Sequence, residues 1–443
     1  MLINFRVANY RAFQEPQELT MRRARGLASD GGSPAWDPQI SPIAVIYGPN
    51  ASGKSTLYRA MQFVRRAVTS SYRSWAVDGG VPGATPFLLD SDSSEAASEF
   101  EVEFVADDGL RYQFGFQASA ARIEAEWLYS YRKSSRTTLY ERNLSDESPM
   151  YFGNSFRGNR VAITDALDQR PNALFISVAM QLGNEILSSA NRWLTQRLRT
   201  YNARDYKSEH RHLADRLRTD EATRMQLSDV LSKADLGITE ISIAENELDP
   251  VILERAFEAA RILSDEQSTE LSKEDFSKFM DSAKREIRFA HQTSAGPVPF
   301  PLSWESDGTQ ALLSFASVAM KALKTGSTMV VDEIDSSLHP TIVAELIRVF
   351  ASGRTNPRQA QLIVTTHDAS LLNASMGEGD LLARDQVWVT EKDVHGASTL
   401  TAISEYRTPR KNENLMRGYL TGRYGGIPMP SMFAAICALE ESS

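Results

Sequence analysis

The residues best suited to chemistry lie in Gly48-Pro49-Asn50-Ala51-Ser52-Gly53-Lys54-Ser55, followed by Thr56. The spacing is G-x-x-x-x-G-K-S, and each fixed position has a physical reason. Gly48 and Gly53 let the backbone curl so that successive N–H groups converge on phosphate oxygens. Lys54 counters charge at the β and γ phosphates, and the Ser55 hydroxyl is a hard oxygen ligand suited to Mg²⁺. A helix starting near Lys54 would aim the positive end of its dipole at the same anion. The alternative is a glycine turn before an ordinary helix. The apolar run Ile43–Tyr47 in front and the helical spacing of Leu57, Ala60, Met61, Val64 and Val68 behind argue for a phosphate loop between strand and helix.

Two further stretches end in groups fit for phosphate chemistry. Val330-Val331-Asp332-Glu333 is an apolar strand running into carboxylates. Asp332 would hold Mg²⁺ opposite Ser55, and Glu333 would polarise the attacking water as a general base. Val364-Thr-Thr-His367 is a second apolar strand, ending in a histidine that is neutral at pH 7 and able to meet a γ-phosphate. A third stretch, Ser306-Asp-Gly-Thr-Gln310, precedes an apolar helix. Ser306, Asp307 or Thr309 would cap that helix, and a Ser-x-Gly turn at a helix N-terminus is also an anion site.

Strand–helix–strand units on both sides of these stretches predict a parallel sheet with its ligand at the C-terminal ends of the strands. Residues 2–13 alternate as a half-buried strand with Ile3, Phe5 and Val7 on one face. Short β-rich runs over 99–143 predict an antiparallel meander beside that core, 145–160 reads as a loop, and about 182–285 reads as helical and polar with one strand at Ile238–Ile243. The expected organisation is an N-terminal lobe over 1–181, a helical insertion over 182–290, a C-terminal lobe over 291–400 and a tail over 401–443.

Composition bounds the rest. The chain has 443 residues, 42% hydrophobic and 24% charged, which is ordinary globular content, and its 57 acidic against 48 basic residues leave a net charge of −9. Bulk attraction to nucleic acid is therefore excluded, and any such contact needs a local patch. One basic stretch exists: Arg192 to Arg218 holds eight Lys/Arg against three Asp/Glu, while Glu245 to Lys278 holds ten acidic and four basic residues. They read as solvated helical faces of opposite sign, or, for Arg197, Arg199, Arg204, Lys207 and Arg211, as an arm for nucleic acid or a partner. Cys437 is the only cysteine, which excludes internal disulfides and Cys-x-x-Cys zinc sites. No apolar run approaches a membrane span and no signal peptide opens the chain, so a cytoplasmic protein with no membrane contact is expected.

Taken together, these stretches resemble the ATP-binding-cassette-type ATPase heads of the SMC, RecF and OLD group. The resemblance equates Gly48–Ser55 with Walker A, Ser306–Gln310 with the signature, Val331-Asp-Glu333 with Walker B, Ser336-Ser-Leu-His339 with the D-loop, and His367 with the switch histidine. It implies an α/β P-loop NTPase fold, a mixed core sheet with an antiparallel meander, and ATP with Mg²⁺ as cofactors. It also implies a homodimer, or a higher oligomer, in which Ser306, Gly308, Thr309 and Gln310 of one chain meet nucleotide held by the other. Asn9-Tyr-Arg-Ala-Phe13 resembles the start of such heads, which gives Arg11 a role at the nucleotide. The signature departs from Ser-Gly-Gly-Gln, and no glutamine stands in the Q-loop place; Gln181 is the candidate substitute for that metal contact.

The tail, with Leu381–Asp393 and Asn414–Pro428, looks like that of compact anti-phage ATPases, the RloA type and the PARIS component AriA. That likeness implies a separately encoded Toprim or nuclease-like effector, since the 76 residues after His367 lack a spaced Asp-x-Asp. Three functions stay open: a defence ATPase controlling an effector, a RecF-like repair ATPase that binds DNA through the Arg192–Arg218 patch, and a nucleotide-bound scaffold with little turnover.

Overall fold

The structure, a computed structural model, describes residues 1–24, 39–202, 206–234, 237–245, 255, 285–336, 338–373, 381–406 and 414–427. These fall into two compact units, one of Met1–Tyr201, Ala322–Asp335 and Val343–Ser443, the other of Asn202–Lys321 and Ser336–Ile342. The division departs from the boundaries read from sequence at 181/182 and 290/291. Residues 182–201 go with the first unit. Residues 291–321 go with the second, because Arg285–Thr293 pairs as a strand with Ile238–Glu245 and carries the following chain with it.

The first unit holds two sheets. Its core sheet orders the strands Ser398–Ala402, Val387–Lys392, Ile43–Tyr47, Gln361–Thr365, Thr328–Asp332 and Leu198–Asn202. The four strands from Val387–Lys392 to Thr328–Asp332 are mutually parallel. Ile43–Tyr47, Thr328–Asp332 and Gln361–Thr365 are buried at every position, as strands covered on both faces must be. Register then decides where chemistry can occur. Val331 pairs Val364, and Thr365 pairs Ile46, so Gly48, Asp332 and Thr366 emerge together at one edge.

The second sheet is an antiparallel run of seven strands, from Gln17–Thr20 and Leu2–Ala8 through the meander to Met150–Phe152. Phe100, Phe104, Phe114 and Phe116 on its inner face and Leu57, Met61 and Val64 of helix Lys54–Ser70 belong to one buried apolar cluster. The strand at Met150–Phe152 falls where a loop was expected; it is short and partly exposed, and three residues carry no periodic signal.

Among the described residues, the second unit has helices Tyr206–Thr219 and Glu221–Ser232, a three-stranded sheet, and the first turns of helix Asp307–Thr325. Two of its strands, Arg285–Thr293 and Gly296–Pro301, were not read from sequence. The second carries Pro297, Pro299 and Pro301, which argue against a strand. It lies at the sheet's edge, and prolines at alternate positions all turn the same, unpaired side outward. No helix among the described residues is long and apolar enough to cross a membrane.

Candidate nucleotide site

The phosphate loop is held open by backbone geometry that only glycine tolerates. Gly48 has φ +152°, and a Cβ there would sit 2.3 Å from Thr390 Oγ1 and 2.5 Å from Ser52 Oγ. Gly53 has φ +106° and precedes helix Lys54–Ser70, whose first turn no side chain caps. A helix start with no side-chain cap suits an anion. Loop residues 50–56 line a cleft of about 220 Å³ together with Ala12, Arg59, Glu333 and His367.

Lys54 is nearly buried, at 6% exposure. Its ammonium donates to the carbonyls of Gly48 at 2.6 Å and Pro49 at 2.9 Å, and lies 3.5 Å from His367 Nδ1. Burial lowers its pKa from 10.5 to about 8, against the opposing pull of Asp335, Asp332 and Glu333. His367 is also pushed below its ordinary value, first by burial and then by the Lys54 charge, so its ring is neutral at pH 7.

A line of hydrogen bonds joins the loop to the neighbouring strands. Ser55 Oγ donates to Asp332 Oδ1 at 3.2 Å, and Thr365 Oγ1 donates to the same oxygen at 2.6 Å. The Thr365 oxygen in turn accepts the Glu333 N–H at 2.8 Å. Glu333 has φ +53°, a conformation that costs a non-glycine residue on the order of 1 kcal/mol and that persists because neighbours impose it. One residue does both jobs: Thr365 orients the Asp332 carboxylate and pins the peptide that turns Glu333 toward the cleft. Asp335 accepts the His367 N–H at 3.0 Å and so fixes the end of that strand.

Sequence reasoning did not single out Thr365, Asp335, Arg59 or Thr390. Arg59 stands four residues after Ser55, a spacing that returns to the same helix face and could have flagged it. Thr390 bonds Ser52 Oγ at 2.6 Å from a fourth strand end, and its signal was the same as for the others, an apolar run closing on a polar residue.

Other expected site residues lie elsewhere. Arg11 is exposed with φ +52°, its Nε donating to its neighbour Tyr10 at 3.2 Å; Ala12, not Arg11, lines the cleft. Gln181 lines a separate cavity with Val68, Thr69 and Arg73. At 1.5 Å per residue, Val68 is about 20 Å further along the helix than Ser55, so Gln181 does not reach the phosphate-loop cleft. Arg197 is committed to structure, donating to Asp107 at 2.9 Å and to the Thr325 carbonyl, and Arg199 Nε donates to the Gln196 carbonyl. Arg204 and the side chains of Lys207 and Arg211 lie outside the described residues.

In the second unit, Ser306 accepts the Thr309 N–H at 3.1 Å and so caps helix Asp307–Thr325. Thr309 and Gln310 are buried, and the Gln310 amide donates to the Glu305 carbonyl at 2.9 Å. Ser306 is exposed and Gly308 half-buried at the helix start. The His339 ring accepts the Thr341 N–H at 3.3 Å; Ser337 lies outside the described residues.

A parallel sheet with a phosphate loop, an Asp-Glu strand end and a histidine strand end at one edge defines a P-loop NTPase of the ATP-binding-cassette-like kind. The chain belongs to the family described as "AAA domain, putative AbiEii toxin, Type IV TA system", which matches residues 43–373. No curated protein matches the sequence. Solved structures similar to it include the SMC head domain from Thermotoga maritima, at 14% identity and TM-score 0.38, covering 90% of this chain and 98% of that one. Another is the recombination mediator RecF with ATPrS, at 14% identity and TM-score 0.37, covering 91% and 98%. The Smc head domain with a coiled coil and joint from Pyrococcus yayanosii follows at 12% identity and TM-score 0.32, covering 90% and 96%. These likenesses are distant, and the assignment rests on the family match and the sheet's own geometry.

Proposed function

We propose that the chain is an ATP-hydrolysing switch that works as a dimer of heads. The observation that carries this reading is the hydrogen-bonded line Ser55–Asp332–Thr365–Glu333 beside a buried Lys54. Lys54, whose ammonium meets two loop carbonyls, would turn its donors to the β and γ phosphates. Glu333 orients the attacking water and takes its proton, and neutral His367 bonds a γ-phosphate oxygen. The Ser55 hydroxyl and the Asp332 carboxylate are hard oxygens 3.2 Å apart, a donor set that fits Mg²⁺. Bound there, Mg²⁺ would neutralise phosphate charge.

In the dimer, Ser306 and Gly308 of one chain would face the γ-phosphate held by the other, because they are the signature residues left at the surface. The family's description names a putative AbiEii toxin and a type IV toxin–antitoxin system, which supports a toxin–antitoxin role; anti-phage defence through a separately encoded nuclease-like effector is the finer reading and rests on the likeness of the tail. Direct DNA binding through Arg197 is disfavoured, since that guanidinium is already paired.

The test is ATP turnover by purified protein, alone and with linear duplex DNA. Glu333→Gln should keep ATP binding, trap the dimer and lose at least about a hundredfold in turnover; Lys54→Ala should lose binding. Turnover that survives Glu333→Gln would overturn the mechanism. Strong DNA stimulation would favour the repair reading, and absence of turnover with tight ATP binding the scaffold reading.

A further inference from the structure

The glycine-rich stretch Asn414–Ile427 has no part in the phosphate chemistry above, yet it lies against the back of the phosphate loop. A Cβ on Gly426 would sit 2.2 Å from Val389 Cγ1, where there is no room for it, and 3.6 Å from Gly48 Cα, so the two glycines lie in close contact beside Val389. Gly426 is held at both ends: its N–H donates to Glu391 Oε1 at 2.9 Å, and its carbonyl accepts the Tyr419 hydroxyl at 2.9 Å. The Tyr419 ring lies 5.3 Å from that of Tyr47, the residue before Gly48, and its hydroxyl is beside the Gly48 main chain. The stretch is itself locked. A Cβ on Gly418 would meet the Tyr424 ring at 2.7 Å, and Gly422 and Gly426 take φ of +77° and +63°. Helix Leu415–Leu420 also packs on the turn Ala369–Leu372, which follows His367 and Asp368.

A phosphate loop binds its ligand in one backbone conformation, and a glycine at φ +152° has many others to visit. Apparent affinity falls by the fraction of time the loop spends in them. We propose that Tyr419 and Gly426 are positioning residues that hold Gly48 in its binding conformation from behind, an inference that rests on reading Gly48–Ser55 as the ATP site. They stand behind the loop and not among the residues lining its cleft, so loosening them raises KM for ATP and leaves kcat at saturating ATP unchanged.

The experiment is calorimetric titration of the full chain with ATP and Mg²⁺, with turnover and urea unfolding on the same samples. Tyr419→Phe keeps the ring and removes one hydrogen bond; ATP should bind about five- to tenfold more weakly, with kcat within twofold. Gly426→Ala, whose methyl cannot fit beside Val389 without displacing it or the segment against the loop, should weaken binding further. Arg417→Ala, on the exposed side of the same helix, should change nothing. A residue that only stabilised the fold would lower the urea midpoint and leave the ATP Kd where it was. That result in Tyr419→Phe overturns the proposal while the ATP site stands, as does a fall in kcat at unchanged Kd. Wild-type protein that binds ATP no better than Lys54→Ala overturns both. Should Gly426→Ala not fold, Tyr419→Phe decides.

Discussion

Replacing Lys54 with methionine should stabilise the ligand-free protein while abolishing nucleotide binding. Lys54 as a whole residue is 6% exposed, and burial brings its pKa from 10.5 to about 8. At neutral pH that displacement corresponds to a cost to the folded state on the order of 3 kcal/mol. Methionine fills similar space without charge but leaves the Gly48 and Pro49 carbonyls without their donor, at about 1 kcal/mol each, so a net gain on the order of 1 kcal/mol remains at pH 7. The pH dependence has a definite sign. Between pH 8 and 10.5 the unfolded lysine still holds its proton while the folded one has lost it, so wild-type stability rises with pH across that window. The variant lacks that rise, and its advantage should vanish by about pH 9. Urea unfolding without nucleotide at pH 7 and 9.5 measures both effects, and saturating ATP should reverse the order at pH 7 by stabilising the wild type alone. A variant no more stable than wild type at pH 7, or a gap that does not shrink with pH, would refute the reasoning.

Three further outcomes are expected. Thr365→Val keeps shape but removes the bonds to Asp332 and to the Glu333 N–H, so turnover should fall at least tenfold, with about 1–3 kcal/mol lost from unfolding stability; steady-state kinetics and urea titration check this. ATP affinity should be flat below pH 8 and weaken about tenfold per pH unit above it, because binding then requires Lys54 to regain a proton; titration at pH 7, 8 and 9 reads the slope. Arg197→Ala should lower stability by about 1 kcal/mol through loss of the Asp107 and Thr325 contacts and leave any DNA affinity unchanged, which a filter-binding assay at two salt concentrations measures.

Much of the core was legible because its signals are local. The phosphate loop, the apolar strands ending at Asp332 and His367, and the helical face of Leu57, Met61 and Val64 each depend on residues within one turn or strand of each other. Illegible features depended on partners distant in the chain. The strand Gly296–Pro301 reads as a turn until an edge position accepts its prolines. Arg197 reads as one charge of a patch until Asp107, ninety residues earlier, claims it. Gln181 and Arg11 were placed by likeness of position alone, and packing sent each elsewhere.

The sequence by itself determined where a phosphate grip would lie, since G-x-x-x-x-G-K-S encodes its own backbone curl, charge and hydroxyl. Only the tertiary structure decided what stands around that grip. Parallel register brings Asp332, Thr365 and His367 to the edge where Gly48 emerges, and puts Thr390 and the Asn414–Ile427 segment behind the loop. The physical reason is range: a turn's conformation is set by its own residues, whereas a shared carboxylate oxygen or two glycines in contact require segments hundreds of residues apart to be packed against one another.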